Sequence, residues 1–220
     1  MKEISLFKSY QIKAFFSSKI LKEKIPFLFP NTFFPKQIHS DKIIYLFTPL
    51  PAFSEEGDAV ITSLQGYAIG VKTADCLPIL IGDKKRRFVS SVHAGWRGTF
   101  NWILYKALKS LLDLGTKPDD LIIAIGPHIQ ASCYEVGLEV VDILPNLWKK
   151  TPFLIKRDFK YYLNLAKMNL YQALEIGIPE ENIWISNECT HCLAERYHSF
   201  RREKNLHYSQ VALISLQNGL

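Results

Sequence analysis

Three short segments carry residue types that bind metals or move protons: Gln37-Ile38-His39-Ser40, Thr73-Ala74-Asp75-Cys76 and His93-Ala94-Gly95-Trp96-Arg97-Gly98. Each sets one imidazole or thiol at the edge of a strand or turn. Zinc takes imidazole nitrogen and thiolate sulfur, and a catalytic zinc keeps three protein ligands and one open position. His39, Cys76 and His93 supply such a set, although their long spacing is not diagnostic on its own. A His2Cys set also binds copper, which ranks above zinc in general affinity, so the expected cofactor is zinc or copper. Asp75, next to Cys76, is a candidate general base or ligand-orienting partner, set against the plainer reading of a turn residue. His93 ends an apolar run, and the glycines after it let the backbone approach a ligand closely. A helix start follows, whose free N–H groups suit phosphate. Arg97 and Gly98 lie in that turn, and Arg97 can add a two-pronged contact to an oxyanion. With no metal, the same residues read as a thiol hydrolase, Cys76 as nucleophile and His93 as base.

Short apolar runs bounded by Pro, Gly and Asp place these segments on strands: 43–47, 59–62, 67–72, 77–81 and 88–93. The polar stretch Gly82-Asp83-Lys84-Lys85-Arg86 predicts a hairpin turn between the last two. Residues 99–114 read as one helix, with Phe100, Ile103, Leu104, Ala107, Leu108, Leu111 and Leu112 on a single face, Thr99 as cap and Gly115 as stop. Further helices are expected over about 136–144 and 165–175, the second capped by Asn164 and stopped by Gly177, and further strands over 121–125, 183–186 and 211–216. Residues 22–36, rich in Pro and aromatics, read as a packed irregular connection. Strands outnumber helices and often follow one another, so the expected class is α+β, a mixed β-sheet sandwich flanked by helices, folded as one catalytic domain over 1–220.

The chain has 220 residues, 48% of them apolar and 22% charged, which excludes disorder on compositional grounds. Its net charge of +6 permits an anionic substrate, but a solvated basic surface is the simpler reading. No secretory signal and no apolar run long enough to span a membrane is read, so a cytoplasmic location is expected, with the cysteines as free thiols or metal ligands rather than disulfides. No nucleic-acid polymer or membrane partner is indicated, and oligomeric state is not readable.

The segments QIHS, GDAVIT, TADCLPILI, VHAGWRGT, IGPHIQASCYEVG and CTHCLAERYHSFRR, in that order over about residues 37–202, resemble the polyphenol oxidase or laccase-domain family. The pairing of TADC with HAGWRG is its most specific element. Members of that family, first taken for multicopper oxidases, have been described as zinc-dependent purine nucleoside enzymes with nucleoside phosphorylase, adenosine deaminase and methylthioadenosine phosphorylase activities. The resemblance implies a mixed α/β sandwich and a metal held by His39, Cys76 and His93. It therefore implies phosphorolysis of adenosine, inosine, guanosine or methylthioadenosine, or deamination of adenosine, with nucleoside and phosphate as partners. The chain departs from the family pattern in three places. Residues 1–36 lack the family's Ser-Leu-Asn-Leu-Gly stretch. His128 stands where Cys is common, as a ligand, a base or a bystander. His207-Tyr208-Ser209 replaces a Thr-Gly-Arg element.

Arg201 and Arg202 match an Arg pair of the family and are candidate anion contacts, against the simpler reading of a basic surface pair. Tyr134 and Glu135 either shape the pocket or start a helix. Cys189-Thr190-His191-Cys192 has metal-hook spacing, but a single CxxC is a weak signal. Copper oxidation of phenols is the competing enzymatic reading. Six histidines are few for a multicopper site, and Met168, the one internal methionine, falls within an expected helix rather than at an axial position. A small basic binding module would leave the three metal-type residues without a purpose.

Overall fold

The computed structural model describes residues 2–216. Two six-stranded sheets stack face to face, and helices cover the far side of the second. The first sheet runs Lys2–Glu3, Ile12–Phe16, Tyr208–Leu216, Ala68–Thr73, Thr32–Phe33, with Ile20–Leu21 also paired to Tyr208–Leu216. The second runs Ile183–Ile185, Leu121–Ile125, Leu77–Asp83, Val89–Ala94, Ala59–Thr62, Ile43–Leu46. Both mix parallel and antiparallel pairs. The expected α+β sandwich is the architecture found.

Alternation in the strands builds the layers. Ile12, Ala14, Phe16, Ile69, Val71, Ala212 and Ile214 of the first sheet meet Leu46, Val60, Leu80, Ile122 and Ala124 of the second. The other face of the second sheet, with Ile61, Ile79, Ile81, Val92 and Ile123, packs on Ile103, Leu104, Ala107, Leu108 and Leu111. A sheet buried on both faces reads as unbroken apolar runs, which is how these strands appear in the sequence. Each fully buried Val, Leu or Ile among them contributes about 1.5–3 kcal/mol. The outer face of the first sheet is closed by residues 22–36, packed as expected but partly regular, with a short helix Ile25–Leu28 and the strand Thr32–Phe33; Ile25, Phe29 and Phe34 pack on Val211 and Leu213.

The expected hairpin between Leu77–Asp83 and Val89–Ala94 forms. Buried Asp83 fixes its turn by accepting from the N–H groups of Lys85 and Arg87 and from the Arg87 guanidinium at 2.6 Å. Helix Leu165–Glu175 forms as read, with the Asn164 side chain accepting from the Lys167 N–H at 3.0 Å and Gly177 at φ +91°.

Three expectations change. The single helix over 99–114 is two, Trp96–Phe100 and Ile103–Asp113, broken at Trp102, which sits at φ 63°. Packing outweighs helical continuity there. The Trp102 ring lies 5.4 Å from Trp148 and 5.6 Å from Tyr105, and buried Gln172 takes up the broken backbone, donating to the Thr99 carbonyl and accepting from the Tyr105 N–H. Thr99 is therefore a buried acceptor for Asn169 rather than a cap. The helix expected over about 136–144 shrinks to Leu138–Asp142, because Glu135–Val136 joins a third sheet with Lys160–Leu163 and Leu154–Arg157. That hairpin went unread because its strands are rich in exposed Lys and Arg and its turn is Asp158-Phe159, not Asn-Gly; both turn residues have positive φ. Among the described residues no helix is long and apolar enough to cross a membrane.

Candidate metal centre and pocket

The chain crosses from the first sheet to the second between Thr73 and Leu77, and the three expected ligands gather at that crossing. Asp75, at φ 92°, makes the turn. Cys76 stands just before strand Leu77–Asp83. The antiparallel register sets Pro78 opposite His93, one residue from the end of its own strand. His39 comes from the loop ahead of Ile43–Leu46 and holds a left-handed backbone, φ 58°. Their ligand atoms lie within 4.8 Å of one another, and the two imidazole rings meet edge to face at 4.8 Å. Gly95 closes the group from behind. A Cβ there would stand 3.1 Å from Cys76 Sγ and 3.4 Å from His39 Cδ2.

Asp58, passed over in the sequence, organises this cluster. It is fully buried and faces His93 Nδ1 at 2.8 Å. Its two oxygens also accept the N–H groups of Ile38, His39 and Ser40, at 3.2, 3.0 and 2.7 Å, and the Ser40 hydroxyl at 2.8 Å. One carboxylate thus orients one ligand ring and fixes the loop that carries another. Burial pushes its pKa up, but hydrogen bonds from His93 and Ser40 outweigh that and hold it below the usual carboxylate value. The pattern that could have revealed it is GDAVIT, an acid opening a fully apolar strand.

The metal-free cluster pairs its charges. Burial pushes the Cys76 thiol up, but the positive charge on His93 and hydrogen bonds from His39 and His93 bring it down to about 6. Burial pulls His93 down, but the Cys76 charge and the Asp58 hydrogen bond raise it to about 9. Two imidazoles and a thiolate held by a carboxylate form a donor set that fits zinc or copper.

These ligands open into a cavity of about 600 Å³, within the usual range for small-molecule sites. Its lining includes three lysines, Lys22, Lys72 and Lys36, the last paired with Glu56 at 2.8 Å, and three apolar side chains, Phe53, Phe200 and Leu206. Lys72 lies 4.0 Å from the centre of the Phe53 ring. Burial, reinforced by the charge of Lys22, lowers its pKa to about 8. None of these six stood out in the sequence. Lys22 comes from the divergent N-terminal segment, and Ser209, from the third departure, also lines the cavity.

The remaining expected site residues take other positions. Asp75 is buried with both oxygens engaged, one accepting from the Thr190 hydroxyl at 2.6 Å, the other from the Ser199 hydroxyl and the Arg201 N–H at 2.9 and 2.7 Å. Arg97 is exposed and stacks on Trp96, 4.1 Å from its ring centre. Arg201 lies over Tyr134 and donates to the Glu135 carbonyl. Tyr134 is raised by burial and by the charge on Cys76, with Arg201 and Arg97 pulling the other way, so both arginines act on the same flank of the cluster. Gly98 seats the short helix against the His39 loop, since a Cβ there would meet the Ser40 carbonyl at 2.9 Å. Arg202 donates to the carbonyls of Thr190, His191 and Tyr197. His128 is buried, with Nδ1 2.7 Å from the Gly126 carbonyl and Nε2 beside Gln130, and burial lowers it to about 4.

The fold and cluster together define a two-sheet protein with a His2Cys pocket at the sheet crossing. The family model described as multi-copper polyphenol oxidoreductase laccase matches residues 17–217, and the chain belongs to that family. The chain is 38% identical over 176 residues to a purine nucleoside phosphorylase of Aquifex aeolicus, covering 78% of this chain and 77% of that one. It is 33% identical over 179 residues to adenosine deaminase RL5 of an unknown prokaryotic organism, covering 76% and 68%. A purine nucleoside phosphorylase of Bacteroides thetaiotaomicron is 34% identical over 149 residues, covering 66% of this chain but only 55% of that protein's length. Among solved structures, Bacillus licheniformis YfiH superposes with a TM-score of 0.83 at 24% identity, covering 94% of this chain and 93% of that one.

Proposed function

We propose that this chain is a metal-dependent purine nucleoside enzyme. The reaction assigned is phosphorolysis of adenosine, inosine, guanosine or methylthioadenosine, with deamination of adenosine as a second activity of the same pocket. The observation that carries this is one cavity joining three elements: the His39–Cys76–His93 set, lysines and aromatic side chains. The named relatives, phosphorylases and a deaminase, support the same reading.

In phosphorolysis a phosphate oxygen attacks the anomeric carbon of the ribose while the bond to the purine breaks, and the purine takes up a proton. Charged Lys72 and Lys22 draw phosphate into the cavity. Arg97, whose guanidinium no protein acceptor engages among the described residues, is a second anion contact on the Tyr134 flank. Phe53 and Phe200 give the purine an apolar wall. Asp75, with both oxygens committed, positions the turn that presents Cys76. His39, Cys76 and His93 would hold zinc, or copper, with Asp58 fixing the proton of His93 on Nδ1. Bound there, the metal would supply Lewis acidity toward the substrate.

A second reading rests on the same geometry without metal. Asp58, His93 and Cys76 form an acid–imidazole–thiol series, and the lowered thiol is the form a nucleophile needs. Copper oxidation of phenols fits less well: His128 and His198 both bond backbone carbonyls, and Met168 is buried in the helical core.

The test measures bound metal in untagged protein, wild type and Cys76→Ala, with adenosine and inosine, each with and without phosphate. Metal in wild type, its loss from this site in the variant, and concurrent loss of phosphate-dependent base release support the proposal. A metal-free wild type with thiol-sensitive hydrolysis would replace it by the second reading.

A further inference from the structure

Away from the pocket, the described residues hold a second group of soft ligands. Cys133, His191 and Cys192 place their ligand atoms within 4.8 Å of one another, and the sulfurs of Cys133 and Cys192 are 3.3 Å apart. Buried Cys189 adjoins them. Its sulfur faces that of Cys192 from just outside the 4.8 Å group and accepts the N–H of Gln130 at 3.4 Å. The sequence shows only a lone CxxC; the fold adds a third cysteine and a histidine.

The spacing suits a tetrahedral ion. Zinc–sulfur bonds of about 2.3 Å set two sulfurs about 3.8 Å apart. The Cys133–Cys192 pair would open by roughly half an ångström, and the wider contacts would close by roughly one. His191 and Cys133 are half-buried and Cys192 is exposed, which leaves these three side chains room to turn toward buried Cys189.

We propose that Cys133, Cys189, His191 and Cys192 form a second metal centre, closed by four protein ligands and taking zinc or a similarly thiophilic divalent cation. Three thiolates and an imidazole leave no open position, so the centre is structural. It clips the segment carrying Cys133 and Tyr134 to the loop carrying Thr190. Tyr134 flanks the first cluster, and Thr190 holds Asp75 beside Cys76. The clip therefore ties together the supports of the pocket without touching it.

The experiment loads untagged, reduced, full-length protein with zinc and counts metal per chain in wild type, Cys76→Ala and Cys192→Ser. About two ions in wild type and about one in each variant are expected. With cobalt in place of zinc, Cys76→Ala should keep intense thiolate-to-metal absorption, and Cys192→Ser should lose most of it. One ion in wild type, none in Cys76→Ala and no change in Cys192→Ser would overturn the proposal. So would thiol counting that finds Cys133 and Cys192 oxidised to a disulfide in protein carrying a single ion. If Cys192→Ser fails to fold, the count in Cys76→Ala decides alone: one ion supports the centre and none refutes it.

Discussion

Asp58→Asn is the most informative single change, because it keeps the side chain's shape while replacing one acceptor oxygen by a donor and removing the negative charge beside His93. In the native chain one oxygen serves the His39 N–H and His93 Nδ1, and the other serves Ile38 N–H, Ser40 N–H and the Ser40 hydroxyl. The amide nitrogen must take one of these places, where it faces at least two donors and accepts from neither. A buried donor without an acceptor costs about 1–3 kcal/mol, so two of them predict a loss of about 2–6 kcal/mol in folding stability. The His93 ring could relieve its half by moving its proton to the other nitrogen. That nitrogen faces Cys76, so the rescue would remove a ligand. Metal affinity should accordingly fall by roughly 10–100-fold. Urea denaturation of metal-free protein measures the first effect, and competition against a chromophoric chelator measures the second. A variant with the wild-type denaturation midpoint and an affinity within about twofold of wild type would refute the role given to Asp58.

Gly95→Ala pushes a methyl group against Cys76 Sγ and His39, an overpacking of about 1–2 kcal/mol that should weaken metal binding roughly tenfold while circular dichroism stays native; chelator competition decides it. Lys72 is charged below about 8 and neutral above, so KM for phosphate should rise as pH passes that value, and Lys72→Met should raise it at least tenfold at neutral pH and flatten the profile. Steady-state kinetics against pH tests this, and an unchanged phosphate KM in the variant rejects Lys72 as the anion contact. Gln172→Leu leaves the Tyr105 N–H without a partner at the helix break and the Thr99 carbonyl with the Trp102 N–H alone, and should cost about 1–3 kcal/mol by urea titration.

What was legible in the sequence was set by physical range. Apolar periodicity exposed the second sheet and the helices on it, because burial on one or both faces writes itself into residue type. Ligand chemistry exposed His39, Cys76 and His93, since few other roles want two imidazoles and a thiol beside turns. The helix break at Trp102 was not legible, because its cause is an aromatic cluster and a glutamine over sixty residues away. Lys72 and Phe53 look like ordinary strand and loop residues until the sandwich turns them into one cavity. Asp75 was singled out for its place beside Cys76, but its partners, Thr190 in a loop and Ser199 and Arg201 at the start of the short helix Phe200–Glu203, lie over a hundred residues on, where no local pattern links them to it.

The place of strand Tyr208–Leu216, hydrogen-bonded between Ile12–Phe16 and Ala68–Thr73, bears on how the molecule comes into being. Its two neighbours leave the ribosome long before it does, and until it arrives each has an open apolar edge in the middle of its own sheet. The sandwich cannot close progressively along the chain; it must wait for pairings of very large sequence separation, which are slow to form and exposed to misassociation meanwhile. The crossing that bears Cys76 begins at the end of Ala68–Thr73. Its ligands can therefore reach their final spacing only in the last stage of folding, and ion capture at that site should follow synthesis rather than guide it.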